Sequence, residues 1–339
     1  MLINQKRNFG QVFPSFPVRE ASEAYCERGV LRREINMTSP LVLLTNKVTC
    51  PERFSLDNPQ DVLAEVKKII LLMFRKFEFN QFEQTFGDIL KLFKGDYPGY
   101  RRCNTLYHDL NHTMDCLLVT AKLIHGAFLN GIIFDKRDVT LGLISALMHD
   151  TGYIQAVDDD TGTGAKYTAC HIQRSIEFLK KYFHDNGFPS EYLPICSNLL
   201  HCTGLDVKIA EIQFQSREHE ILGKILGTAD LIGQMANENY LEKLPLLYYE
   251  FKEGGVPGYT DEYDLLKKTP AFWEMVKERF VLELGQVDRY LRDYLRVLWG
   301  INQDLYRQAI DRNIERLQSL LATPRLTFQG FQEANIKWV

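Results

Sequence analysis

The segment RDVTLGLISALMHD, residues 137–150, is apolar on nearly every face once wound as a helix. A helix with no polar face has to be enclosed by other elements. Its neighbours carry the matching signature, apolar residues at three- and four-residue spacing instead of alternation. In NPQDVLAEVKKIILLMFRKF, one face gathers Val62, Val66, Ile69, Ile70 and Met73, with Asn58 or Asp61 placed as the cap. Further helices are expected over 80–94, 166–185, 190–202 and 217–239, and a long amphipathic stretch runs from Pro270 to Trp299. The expected fold class is therefore all-α, with residues 56–339 as a single helical domain.

Residues 1–55 break the pattern. FGQVFPSFP and TSPLVLLTNKVTCPERF mix prolines with short apolar runs, which predicts an irregular, extended arm. Its Phe13, Phe16, Leu41 and Leu44 favour contact over free solution, either across the helical body or in exchange with a second copy in a homodimer.

A formal charge of -4, from 40 basic and 44 acidic residues, does not supply the basic field that nucleic-acid binding needs. The seven cysteines include no CxxC pair and no dense framework, so structural disulfides are not expected. The chain shows neither the apolar run of a signal peptide nor one long enough for a membrane span, and a cytoplasmic protein is the expectation.

The chemistry is concentrated in few residues. LYHDLNHTMD sets His108 and His112 four apart, with Asp115 three beyond His112, a spacing that in a helix brings all three to one face. Burying two imidazoles costs free energy unless each finds a partner, and a metal ion or a carboxylate can supply one. His149-Asp150 ends the apolar helix where a packed core would take leucine or alanine. His171 lies among Ile172, Ile176 and Leu179, His201 closes the apolar stripe of ICSNLLHCTG, and Asp230 interrupts the small-residue helix ILGKILGTADLIGQMA. Each alone has a plain reading, such as a capping aspartate or a core histidine bonded to a carbonyl. Together, His112, His149, Asp150, His171, His201 and Asp230 supply six donors, enough for two adjacent divalent ions with Asp150 bridging, and leave His108 for other work. His125, His184 and His219 read as solvated or turn residues, and the acid run Asp158–Asp160 as a solvated loop.

The order H…HD…H…H…D on successive helices resembles the HD superfamily of metal-dependent phosphohydrolases. YHDLNHTMD is similar to the YHNxxHAxD signature of the 3',5'-cyclic nucleotide phosphodiesterases, and GTADL followed by LYYEFKEGG is similar to the stretch that carries their last metal aspartate. The resemblance spans roughly residues 100–300. It implies an HD-domain helical bundle, His108 as proton donor and His112 and Asp230 as ligands. LGQVDRYLRDYLRVLW is similar to the helix whose glutamine reads the base, which nominates Gln286 for substrate binding beside Tyr107 and Lys166. Two positions differ from the signature: Asp109 stands where those enzymes carry Asn, and Tyr153 where they carry a further histidine. His171 and His201 match the extra ligands of binuclear bacterial members.

The reaction so implied is hydrolysis of a small phosphorylated substrate, a cyclic nucleotide or related phosphodiester. Two ions of Fe, Mn, Zn or Mg would share a bridging hydroxide as nucleophile, with His108 and Asp150 as catalytic groups. Asp109 or Asp115 would orient His108 or His112 from behind. Two rival readings use the same residues: a di-iron oxygenase, with Tyr153 covering an open iron position, and a nucleotide-binding regulator without turnover.

Overall fold

The computed structural model describes residues 58–322, so the arm expected over 1–55 lies outside the described residues. Those residues form eleven α-helices joined by loops and short 3₁₀ turns. The all-α expectation holds.

Helix α1, Pro59–Met73, starts where Asn58 Oδ1 accepts from Gln60 N, and buries Val62, Val66, Ile69 and Ile70. Helix α2, Asn80–Lys94, closes on Gly95 in the left-handed region. Helix α3, Leu110–Leu129, and helix α4, Lys136–Met148, form the centre; every residue of α4 from Asp138 to Met148 is buried. Around them stand α5 (His171–Asp185), α6 (Tyr192–His201), α7 (Arg217–Met235) and α8 (Tyr240–Glu253), with α9 (Glu262–Leu282), α10 (Arg289–Trp299) and α11 (Leu305–Leu321) completing the wall. Helix α3 packs on α7, α1, α10 and α4, and α4 on α2, α6 and α7. Small residues permit the closest of these approaches: a Cβ on Gly126 of α3 would stand 2.1 Å from Tyr290 O of α10.

Three expectations change. The stretch 270–299 is two helices, because the chain turns through the left-handed region at Gly285 (φ 64°) and Gln286 (φ 57°). The helix expected from 166 begins only at His171, after a 3₁₀ turn over Gly164–Tyr167. His125 and His219, expected at the surface, are buried at 3% and 5% exposure. The His125 ring meets the Tyr294 ring edge-on at 5.6 Å, and His219 Nε2 lies 3.1 Å from Asp138 Oδ1. His219 has polar flanks in SREHEIL and His125 apolar ones in KLIHGAF, and in both helices the ring lies on an inward face. His184 is exposed as expected. The five described cysteines are free, and no helix among the described residues is long and apolar enough to cross a membrane.

Candidate metal centre

The centre forms where the starts and ends of buried helices meet. Asp109 is the N-cap of α3, its Oδ1 accepting from His112 N at 2.9 Å. The cap places His112 in the first turn of the helix and His108 before it, so the two histidines do not share a helical face. They come together because the chain ahead of the cap folds back, bringing the rings to 5.6 Å.

At the other side, α4 ends into the turn 149–153, which is fastened to α5. Ser175 Oγ donates to His149 O at 2.6 Å and accepts from Gly152 N at 2.8 Å. Arg174 Nε donates to Gly152 O at 2.7 Å. Gly152 is required by proximity, since a Cβ there would stand 1.9 Å from His171 O.

Four side chains converge. His112 Nε2 lies 3.1 Å from Asp150 Oδ2 and 3.1 Å from Asp230 Oδ1. His149 Nε2 lies 3.2 Å from Asp150 Oδ2, 3.7 Å from Asp230 Oδ1 and 3.2 Å from His112 Nε2. His149 Nδ1 is 2.8 Å from Ala146 O; a carbonyl only accepts, so the proton sits on Nδ1 and, in the neutral ring, Nε2 presents a lone pair. These N···O distances suit hydrogen bonds, but the lines of approach do not: Asp150 Oδ2 is buried and has no hydrogen-bond partner. Apart from the contact between the two imidazole Nε2 atoms, the buried Asp150 Oδ2 faces these donors without a hydrogen bond of its own, as a ligand atom does beside a shared cation. His112, His149 and Asp150, all buried, have ligand atoms within 4.8 Å of one another.

The electrostatics ask for positive charge. Burial works against ionisation of Asp150, but His149 and His112 outweigh it and hold the carboxyl well below the usual range. Burial likewise opposes the charge on Asp230, which His112 and His149 keep ionised. For His112, burial lowers the pKa, yet the contacts with Asp150 and Asp230 raise it to about 10. The buried Asp150 and the partly exposed Asp230 therefore hold a proton on a buried imidazole that a divalent ion would displace. The residues present fit such an ion.

Beside the cluster stands His108. Its Nδ1 is 2.6 Å from Glu250 Oε2, and Glu250 Oε1 accepts from Tyr107 N at 2.6 Å. Tyr153 stacks against His108 (ring centroids 4.5 Å apart) and against His171 (4.7 Å). Burial pushes the Tyr153 phenol well above its ordinary pKa, and its hydroxyl is bonded to Thr168. Behind the cluster, His112 Nδ1 is buried without a hydrogen-bond partner. It borders a hollow with room for about one water molecule, lined also by Tyr107, Asp115, Gln234, Asn237 and Lys243. Asp115 Oδ2 accepts from Asn237 Nδ2 at 2.7 Å, and Lys243 pairs with Asp109 at 3.2 Å.

Not every expected residue joins. His171 Nδ1 bonds Thr168 O, and its Nε2 reaches to 3.9 Å from Asp150 Oδ1. His201, the last residue of α6, makes no hydrogen bond or ion pair with Asp150, Asp230 or His171 among the described residues; burial alone lowers its pKa, where a carboxylate at hand would raise it. Of the six donors expected to converge, four draw together, His171 stands at the edge at 3.9 Å from Asp150, and His201 bonds to none of them among the described residues. Lys166 is engaged by Asp159 and by Thr161 O, away from the cluster, so the acid run is not simply solvated. Gln286 is exposed in the break between α9 and α10 and bonds to none of these groups. Tyr107 does belong, donating from its hydroxyl to Gln234 at 2.6 Å.

Glu250 is the residue that sequence reasoning misses. Its signal is an acid inside the otherwise aromatic run LYYEF, on a helix face that has to be buried; at 4% exposure it needs the two partners it has.

Residues 159–288 match the model of a family described as Npun_R2479-like, less than half the chain. The matched stretch includes His171, His201, Asp230 and Glu250 and begins after His149-Asp150. No curated protein matches the chain.

Proposed function

We propose that the protein is a metal-dependent phosphohydrolase that cleaves a cyclic nucleotide or a related small phosphodiester. The observation that carries the reading is the pairing of two devices: a buried His2Asp2 cluster suited to a divalent ion, and a separate imidazole held beside it. A divalent ion in the cluster supplies Lewis acidity to a phosphoryl oxygen and lowers the pKa of water toward neutrality. His112, His149, Asp150 and Asp230 would hold it, and the burial of the first three limits competing solvent.

His108 is the group for proton transfer. Glu250 accepts from Nδ1, so that the ring as an imidazolium presents its Nε2 proton to the departing oxygen and is left neutral once that proton is given. Stacking on Tyr153 restricts the ring, and the Tyr107 amide in turn fixes the Glu250 carboxylate, so the imidazole is oriented before substrate arrives. Asp150 acts by binding and charge. The resemblance of YHDLNHTMD to the phosphodiesterase signature supports the choice of phosphodiester as substrate.

The test is a screen of the full chain, loaded in turn with Mn²⁺, Mg²⁺, Fe²⁺ and Zn²⁺, against cyclic mononucleotides, cyclic dinucleotides and aryl phosphodiesters. Metal-dependent release of a phosphomonoester is the expected result. Oxygen uptake by the iron form without ester cleavage would transfer the site to oxygenase chemistry, and tight nucleotide binding without turnover would make the protein a regulator.

A further inference from the structure

We propose that Thr105 and Gln155 are positioning residues for His108, a two-level mount that sets where the imidazole stands relative to the turn carrying His149 and Asp150. This inference rests on the reading of His108 as the group for proton transfer and deepens it. His108 lies one residue ahead of the α3 cap, outside the hydrogen bonds of the helix itself. Its carbonyl accepts instead from Thr105 Oγ1 at 2.7 Å. That hydroxyl has one proton and gives it there, so it accepts from the Cys103 thiol at 3.1 Å. Burial raises the Cys103 pKa, which keeps the thiol a donor. Thr105 is itself 5% exposed, and without its hydroxyl the His108 carbonyl would keep only the sulfur, 3.7 Å away.

The second level ties this segment to the chain beyond Asp150. Gln155 O accepts from Arg101 N at 2.9 Å, beside the antiparallel bridge of Tyr100 with Ala156. Gln155 Oε1 accepts from Asn104 Nδ2 at 2.7 Å, and Gln155 Nε2 donates to Thr161 O at 3.0 Å. Asn104 Oδ1 in turn accepts from Gly164 N at 2.9 Å. Gln155, 1% exposed, therefore joins the segment ahead of His108 to the loop that follows Tyr153. Gly164 closes the seat, since a Cβ there would stand 1.9 Å from Tyr153 O and 3.4 Å from Thr105 Cγ2. Proton transfer needs such a mount, because displacing a reacting group by about 1 Å can cost about 10²-fold in rate. Both residues act on His108 through the backbone that carries it, and neither belongs to the ligand set.

The experiment compares Thr105→Val, which removes the hydroxyl and keeps the shape, with Thr105→Ser, which keeps the hydroxyl, each as the full Mn²⁺-loaded chain. Thr105→Val should lower kcat by about 10- to 100-fold, the scale of a misplaced reacting group, with KM and metal content held. Thr105→Ser should recover most of that loss. Gln155→Leu tests the second level and should change the same quantities in the same direction as Thr105→Val. A second readout needs no turnover. The proton between His108 Nδ1 and Glu250 Oε2, 2.6 Å apart, should give a low-field magnetic resonance, assigned by its loss in His108→Ala. It should shift or broaden in Thr105→Val and return in Thr105→Ser. Wild-type kcat with an unmoved resonance in Thr105→Val and Gln155→Leu, or an equal loss in Thr105→Ser, would overturn the proposal. Loss of metal from Thr105→Val would also overturn it, by making the hydroxyl a support of the whole cluster. A wild type that cleaves no phosphodiester would sink only the reading of the reaction, and the resonance would still decide the mount.

Discussion

Helices α4 and α6 end alike in sequence, an apolar stripe closed by a histidine, and differ in what that histidine does. His149 ends α4 inside the cluster, with Nδ1 on Ala146 O and its own carbonyl bonded by Ser175. His201 ends α6 half-buried, and the chain beyond it is gathered by Arg279 instead. The lesson is that an apolar stripe only tells which side of a helix is inward. Whether the last ring becomes a ligand depends on the next turn of the chain and on the groups that fasten it.

Exchange of ligands gives the sharpest break between the two ends. Asp150→Ala and His149→Ala are expected to lose both bound metal and hydrolysis completely, by elemental analysis and activity assay, whereas His201→Ala should stay within about 2-fold of wild-type turnover, in line with a position outside the reacting groups. Equal losses from both ends would erase the distinction.

Next in size is the imidazole beside the cluster. His108→Ala should leave metal content unchanged and slow turnover by about 10² to 10⁴, the usual contribution of proton transfer. Glu250→Gln should lower kcat less, with KM held, because it disturbs the orientation of His108 and not the substrate contacts. Loss of metal from His108→Ala would instead move that ring into the ligand set.

A smaller effect is expected behind the cluster. Asp115 and the unpartnered His112 Nδ1 border one water-sized hollow, so Asp115→Asn should weaken metal affinity by about 10- to 100-fold through the orientation of His112. Competition with a graded chelator reads this directly.

The smallest concerns a histidine outside the cluster. Burial pushes His125 down to about 4, against about 6.5 in the unfolded chain. Between those values the unfolded state binds more protons, so this residue makes stability fall as pH drops from about 6.5 to about 4. In urea titrations, His125→Phe should lose less stability than wild type over that window.

Much of this is legible in the sequence alone. Periodicity places α1, α2 and α4 closely, because their inward faces are continuous and their caps are clear. Composition singles out His149-Asp150 and Asp230, because a polar group inside an apolar helix needs a partner. What sequence does not carry is direction. His219 sits in a polar-looking segment, and only packing shows that its face points inward. The break at Gly285-Gln286 is hidden by helical spacing on both sides of it. His108 and His112 look like neighbours on one helix, but the four-residue spacing is cut by the cap between them. Glu250 escapes notice because its partner lies 142 positions away in the chain.

The tight seat of Gly152 reaches further than its size suggests. With the carbonyl of His171 lying 1.9 Å from where a methyl group would begin, even alanine must lift the turn 149–153 away from α5. The angle between the His149 and Asp150 side chains would then change without either being touched. A single added carbon, touching neither ligand, would reset the donors that a bound cation would meet.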